Sequence, residues 1–144
     1  MIQTLLALVA GLFSLSAHAA GDSLKYCGEE AKPCLRYGVV VFQERCSLCH
    51  GSDGMGEGVL TLSMKEYPSS NLLEPRVTYD EASLRRAIHD GPAFAGMSPM
   101  MPPWGDELTV AQLDSVMMFV SYLRKETEAA LKMVREVAST LEPS

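Results

Sequence analysis

The chain has 144 residues, 18 of them acidic and 12 basic, for a formal net charge of −6, and 47% of its residues are hydrophobic. That length suffices for one domain with a modest core. The acidic balance argues against nucleic acid and anionic membrane surfaces as partners, since both are engaged through basic patches.

The first segment reads as separate from the domain. MIQTLLALVAGLFSLSAHAA carries an apolar run from Leu5 to Leu15 and ends in Ala17-His18-Ala19. The run is too short to span a bilayer, and the A-x-A ending is a cleavage pattern, so residues 1–19 are expected to be a signal peptide. No charged residue lies in them, so the mature chain keeps the net charge of −6. No later segment has the length of a membrane span, which predicts a soluble protein in a periplasm-like compartment.

Residues 20–34 form an N-terminal arm containing Cys27 and Cys34. Neither cysteine is followed by a histidine. In an oxidising compartment two nearby thiols are expected to pair, closing the short loop CGEEAKPC.

From Leu35, LRYGVVVFQERCSLCH reads as a helix. Gly38 and Phe42 stand four apart on one face, with Gly38 able to admit a close helix crossing. The helix leads into Cys46-x-x-Cys49-His50, the spacing of c-type haem attachment. Two thiols separated by a two-residue spacer on one helical turn match two vinyl groups on neighbouring pyrroles, and the following histidine falls where an imidazole nitrogen can bind iron. Two rivals share the C-x-x-C. A thioredoxin-like pair belongs in a βαβ setting, which is missing here. A four-cysteine zinc site would need Cys27 and Cys34 as its second pair, and their spacing fits poorly.

GSDGMGEG, with Gly51, Gly54, Gly56 and Gly58, stops the helix. YPSSNLLEP reads as a loop. Thr78 and Glu81 have capping-box spacing ahead of YDEASLRRAIHD, which Gly91-Pro92 closes, with Leu84 and Ile88 pointing inward. His89, near that helix's C-terminus, reads as a surface or hydrogen-bonded residue favoured by the helix dipole. FAGMSPMMPPWG then places three methionines among glycines and prolines. Thr109 and Gln112 form a second capping box before a helix with Val116, Phe119, Val120 and Leu123 inward and Tyr122 beside them. Helical pattern continues past Arg124 to about Ala138. Ala130, Val134, Val137 and Leu141 make an apolar stripe opposite Glu128, Lys132, Arg135 and Glu136. Such a stripe usually covers its own core; the other use is docking a partner subunit or a second copy. The fold class is all-α, with a haem domain over 35–125 and a C-terminal helical extension over 126–144.

GVVVFQERCSLCHGSDGMGEG, MPPWGDELT and VSYLR, together spanning roughly residues 35 to 125, resemble class I monohaem bacterial cytochromes c. The resemblance implies the cytochrome c fold, three to four helices around one covalent haem c, with an N-terminal helix crossing a C-terminal one. Gly38 and Phe42 would meet Tyr122 and its neighbours there. It further implies attachment through Cys46 and Cys49, His50 as proximal ligand, Met101 as distal ligand, and Trp104 near the haem edge.

The residues themselves bear on the choice of methionine. Met101 precedes Pro102, which pushes it toward extended geometry, and Pro102-Pro103 stiffens the loop around it. Side chains alternate along an extended segment, so Met100 is expected to face away from whatever Met101 faces. Met97 shares the parity of Met101 but sits in a looser stretch.

Histidine–methionine ligation leaves iron no open position, which suits outer-sphere electron transfer and works against oxygen or peroxide chemistry. The expectation is therefore a periplasmic electron carrier, or the small cytochrome subunit of an oxidoreductase, serving redox partner proteins. The rival from another class is a haem enzyme or gas-binding sensor with a displaceable distal ligand. It would need a distal polar group, and His89 is the only spare histidine after the signal segment.

Overall fold

The core is organised around one close helix crossing. The structure, a computed structural model, describes residues 26–27, 33–74, 80–95 and 97–141. The expected signal segment 1–19 lies outside these residues, as does most of the 20–34 arm. Helix α1 (Leu35–Arg45) packs on α5 (Val110–Lys125), and the two bury Val39, Phe42, Phe119 and Leu123 completely. Between them in sequence come α2 (Ser47–His50), α3 (Val59–Ser63), α4 (Glu81–Asp90) and a 3₁₀ turn (Pro92–Ala95); α6 (Thr127–Leu141) follows α5. The described residues contain no strand, and none of their helices is long and apolar enough to cross a membrane. The expected all-α class is therefore the observed one.

Gly38 makes the crossing possible. A Cβ placed there would lie 2.0 Å from the Ser115 carbonyl oxygen and 2.8 Å from the Phe119 Cβ. The ring facing Phe42 is that of Phe119, edge-on at 5.2 Å between centroids. Phe119, a turn before Tyr122, thus takes the place expected of Tyr122, which is only half-buried at the core's margin. Buried Ser115 adds a polar tie, its Oγ accepting the Cys34 N–H at 3.1 Å. Cys34 caps α1 and is bonded to Cys27, with 5.8 Å between their Cα atoms. Tyr26, beside Cys27, stacks on buried Tyr37.

Two helix ends differ from their sequence reading. Thr78 lies outside the described residues, and the N-cap of α4 is Asp80, whose carboxylate accepts the Ser83 N–H at 2.6 Å. The reason is reach: a side-chain cap serves the amide two or three residues on, and α4 begins at Glu81. The capping box at Thr109 and Gln112 is present in both its bonds. The single extended C-terminal helix is instead two helices, α5 and α6, interrupted at Glu126 (φ −131°, ψ 54°). There the Thr127 hydroxyl donates to the Leu123 carbonyl at 2.9 Å, replacing the ladder bond that the break removes. The bend returns α6 toward α1. Ala130 and Val137 become fully buried, Val134 packs against the core, and Arg36 pairs with Glu136. Ala130, Val134 and Val137 of the stripe thus cover their own domain.

Candidate functional site

The C-x-x-C-H motif straddles a break between helices. Helix α1 stops at Arg45, Cys46 caps it, and Cys49 and His50 occupy the short turn of α2. Gly51 (φ 76°), Gly54 (φ 79°) and Gly56 (φ 86°) then fold the chain back in conformations that only glycine adopts readily. The fold-back brings residues 67–72 alongside α2. Leu72 N–H donates to the Gly54 carbonyl at 2.8 Å, and Gly56 N–H to the His50 carbonyl at 2.7 Å.

This apposition orients His50. Its Nδ1 lies 2.6 Å from the Ser70 carbonyl oxygen. A carbonyl can only accept, so Nδ1 carries the proton and Nε2 keeps its lone pair for a metal. Burial pushes the His50 pKa below the ordinary histidine range, against the opposing effect of the Ser70 bond, and so favours the neutral ring a ligand must have. Phe42 stands beside the imidazole at 6.5 Å between centroids. Ser70 also uses its hydroxyl, donating to the Cys49 carbonyl at 2.8 Å.

The second half of the site is the loop after α4. Helix α4 ends with unsatisfied carbonyls, and the loop supplies their donors: Trp104 N–H bonds to Ile88 at 3.0 Å and Gly105 N–H to His89 at 2.9 Å. Gly91 (φ 79°) lets the helix end lie against the returning loop, since a Cβ there would stand 3.2 Å from the Met101 carbonyl oxygen. Met101 is half-buried and packed against the core, whereas Met100 is 47% exposed. That ordering follows the alternation argument. Yet Met97, Met100 and Met101 all line the same cavity, so the alternation is partial.

The cavity has a volume of about 330 Å³ and is walled by Phe42, Leu84, Ile88, Trp104, Val116 and Val120, with Cys46, Cys49 and His50 on its lining. Its size lies within the roughly 300–1,000 Å³ of cofactor sites. Two thiols, an imidazole presenting Nε2 and a thioether on one apolar chamber are the donor set a covalent haem requires, and the residues present fit that group. The rivals fit less well. Burial first, and Cys49 second, push the Cys46 thiol up to about 12 against the pull of Arg45. A reactive dithiol needs the reverse shift. Cys27 and Cys34 are bonded to each other and cannot complete a zinc tetrad.

Residues 35–120 match the family described as cytochrome C oxidase, cbb3-type, subunit III. The chain belongs to this family. It is a c-type cytochrome, and the family implies covalently bound haem c. A similar protein is the cbb3-type cytochrome c oxidase subunit FixP of Azorhizobium caulinodans, 28% identical over 112 residues that cover 76% of this chain. The cytochrome spans only 31% of the length of that relative. No solved structure matches it.

His89 of the cytochrome is half-exposed, its Nδ1 2.6 Å from the Asp90 carboxylate and its ring against Gly105. It does not line the cavity, in keeping with its reading as a hydrogen-bonded surface residue. Sequence reasoning missed Ser70, Thr61 and Tyr67, whose hydroxyls reach the Gly56, Gly58 and Cys49 region. They sit in or beside a segment readable only as loop, and nothing in a serine-rich loop announces which hydroxyl turns back to a helix end. Beside the site, Leu48, Met55, Val59, Leu60, Leu62 and Met64 are exposed.

Proposed function

We propose that this cytochrome is a one-electron carrier operating in the periplasm, either as a free carrier or as the small cytochrome subunit of an oxidoreductase. In this reading it binds a single haem c. Cys46 and Cys49 would attach it through thioethers, and His50 Nε2 and the Met101 sulfur would hold its iron. The observation that carries the reading is the joint presence of Cys46, Cys49, His50 and Met101 on one apolar cavity. Bound there, haem iron supplies the redox step.

The protein's part is positioning and exclusion. The Ser70 carbonyl holds the His50 tautomer, the apolar walls keep water away, and thioether ligation favours the reduced state. With His50 and Met101 both holding the iron, it would change charge without exchanging ligands, and donor and acceptor would meet the cytochrome at its surface. The exposed apolar side chains at 48–64 favour proteins over small molecules in that role. The relative's printed role as an oxidase subunit supports a complex as one destination. The Cys27–Cys34 bond supports an oxidising compartment, where such bonds persist.

Single substitutions test the ligand assignment. Met101→Ala is expected to abolish the methionine–iron charge-transfer band of the oxidised protein and open the reduced protein to carbon monoxide. Met100→Ala is expected to keep the band. The reverse pattern would move the ligand to Met100, and a wild type lacking the band and binding carbon monoxide freely would favour the sensor or enzyme class.

A further inference from the structure

We propose that the Ser70 side chain is a positioning group for His50, setting the strength of the imidazole's hydrogen bond and through it the reduction potential. The proposal rests on the reading of His50 as an iron ligand.

Helix α2 is four residues long, so most of its carbonyls lack intrahelical partners and must find donors elsewhere. The Ser47 carbonyl takes the Gly51 N–H at 2.9 Å, and that of His50 takes the Gly56 N–H at 2.7 Å. The Cys49 carbonyl takes the Ser70 hydroxyl at 2.8 Å. Ser70 Oγ also stands 3.3 Å from the Gly56 carbonyl, but it has one proton, and the nearer acceptor by half an ångström is Cys49 at 2.8 Å. Thr61, the neighbouring hydroxyl, is 2.7 Å from Gly58 and 2.8 Å from Gly56, and only 3.4 Å from Cys49. Thr61 therefore closes the glycine turn, and Ser70 closes the helix.

The outcome is a small double tether. Ser70 donates from its side chain to residue 49 and accepts on its backbone from residue 50. The two bonds lock its carbonyl at 2.6 Å from His50 Nδ1, a short contact for N–H···O. A strong bond at Nδ1 makes the opposite nitrogen a better donor to a metal. With haem iron held at His50 Nε2, better donation would favour the ferric state and lower the potential. Without the hydroxyl, the segment keeps the Leu72–Gly54 backbone bond but loses its tie at residue 70 itself, and the imidazole bond lengthens.

The test compares holo-proteins: wild type, Ser70→Ala, Ser70→Cys, Ser70→Thr and, as a control in the same turn, Thr61→Val. Potential is read by spectroelectrochemistry, and the His50 Nδ1–H by its exchange rate in NMR. The expected order of upward shift is alanine, then cysteine with its weak S–H donor, with threonine near wild type, and exchange accelerating in the same order. Cysteine carries the test if the alanine variant does not assemble. Thr61→Val is expected to lower thermal stability and leave the potential in place. Equal potentials across the Ser70 series, or a Thr61→Val shift as large as that of Ser70→Ala, would overturn the proposal. A wild type without an imidazole-ligated haem would instead overturn the reading beneath it, whatever the variants do.

Discussion

Replacing Gly38 by alanine sets two known effects against each other. In the interior of a helix, glycine to alanine is normally favourable by about 1 kcal/mol, because the unfolded chain loses freedom. At Gly38 the new methyl would stand 2.0 Å from the Ser115 carbonyl oxygen and 2.7 Å from its carbonyl carbon. Those are backbone atoms in the middle of α5 and cannot rotate aside. Ordinary contact begins near 3.4 Å, so the crossing has to open by more than 1 Å. A gap of about 0.5–1 Å already forfeits roughly a quarter to a half of the pairwise attraction across an interface. This interface holds the fully buried Val39, Phe42, Phe119 and Leu123. Overpacking at such a site costs about 3 kcal/mol, the upper end of the usual range. The net is a loss of about 2 kcal/mol, or roughly 10 °C in melting temperature for a domain of this size. Thermal unfolding followed by circular dichroism on the holo-protein measures it. An alanine variant melting at or above wild type would refute the close-crossing argument, because propensity would then have won.

Two further predictions follow from the helix ends. The Asp80 carboxyl is held below its ordinary range by bonds from the Ser83 backbone and hydroxyl, so its contribution to folding is present above the unfolded carboxylate pKa and lost as pH falls through the lowered folded value. Melting curves of wild type and Asp80→Ala should therefore differ at neutral pH and converge in acid; a gap that widens on acidification would refute the cap. Truncation after Lys125 removes the buried Ala130 and Val137, so it is expected to cost several kcal/mol by analogy with large core deletions, and unchanged melting would show that α6 packs elsewhere.

What the sequence revealed follows from how local each signal is. Cys46, Cys49 and His50 are adjacent in the chain, so their chemistry is legible from spacing alone. The Thr109–Gln112 cap is equally local. Gly38 was legible as a close-approach residue, but its partner was not, because choosing Phe119 over Tyr122 depends on the rotation of α5 about its axis. The stop at Glu126 was hidden because the apolar stripe keeps its helical spacing on both sides of the break. Only the Thr127 hydroxyl, bonded back to Leu123, marks the join. Ser70 is the clearest case: its importance comes from two contacts across twenty residues of chain, and no local pattern encodes them.

The same contrast explains how an irregular chain can hold firmly the two residues proposed as iron ligands. His50 lies at the end of a four-residue helix and Met101 in a proline loop, neither of which is rigid alone. In both places the stiffening comes from carbonyls that a helix end leaves unpaired. At α2 the donors are Gly51, Gly56 and Ser70; at α4 they are Trp104 and Gly105. Each helix end thus turns its own deficit of donors into an anchor for the segment that carries the proposed ligand. The proposed carrier role, in which the ligands would stay in place as iron changes charge, calls for that arrangement on both sides of the cofactor. On that logic the distal anchor should matter as the proximal one does: Gly105→Pro, which deletes the N–H given to His89, is expected to weaken the charge-transfer band that Met101→Ala abolishes, with the methionine still in the chain.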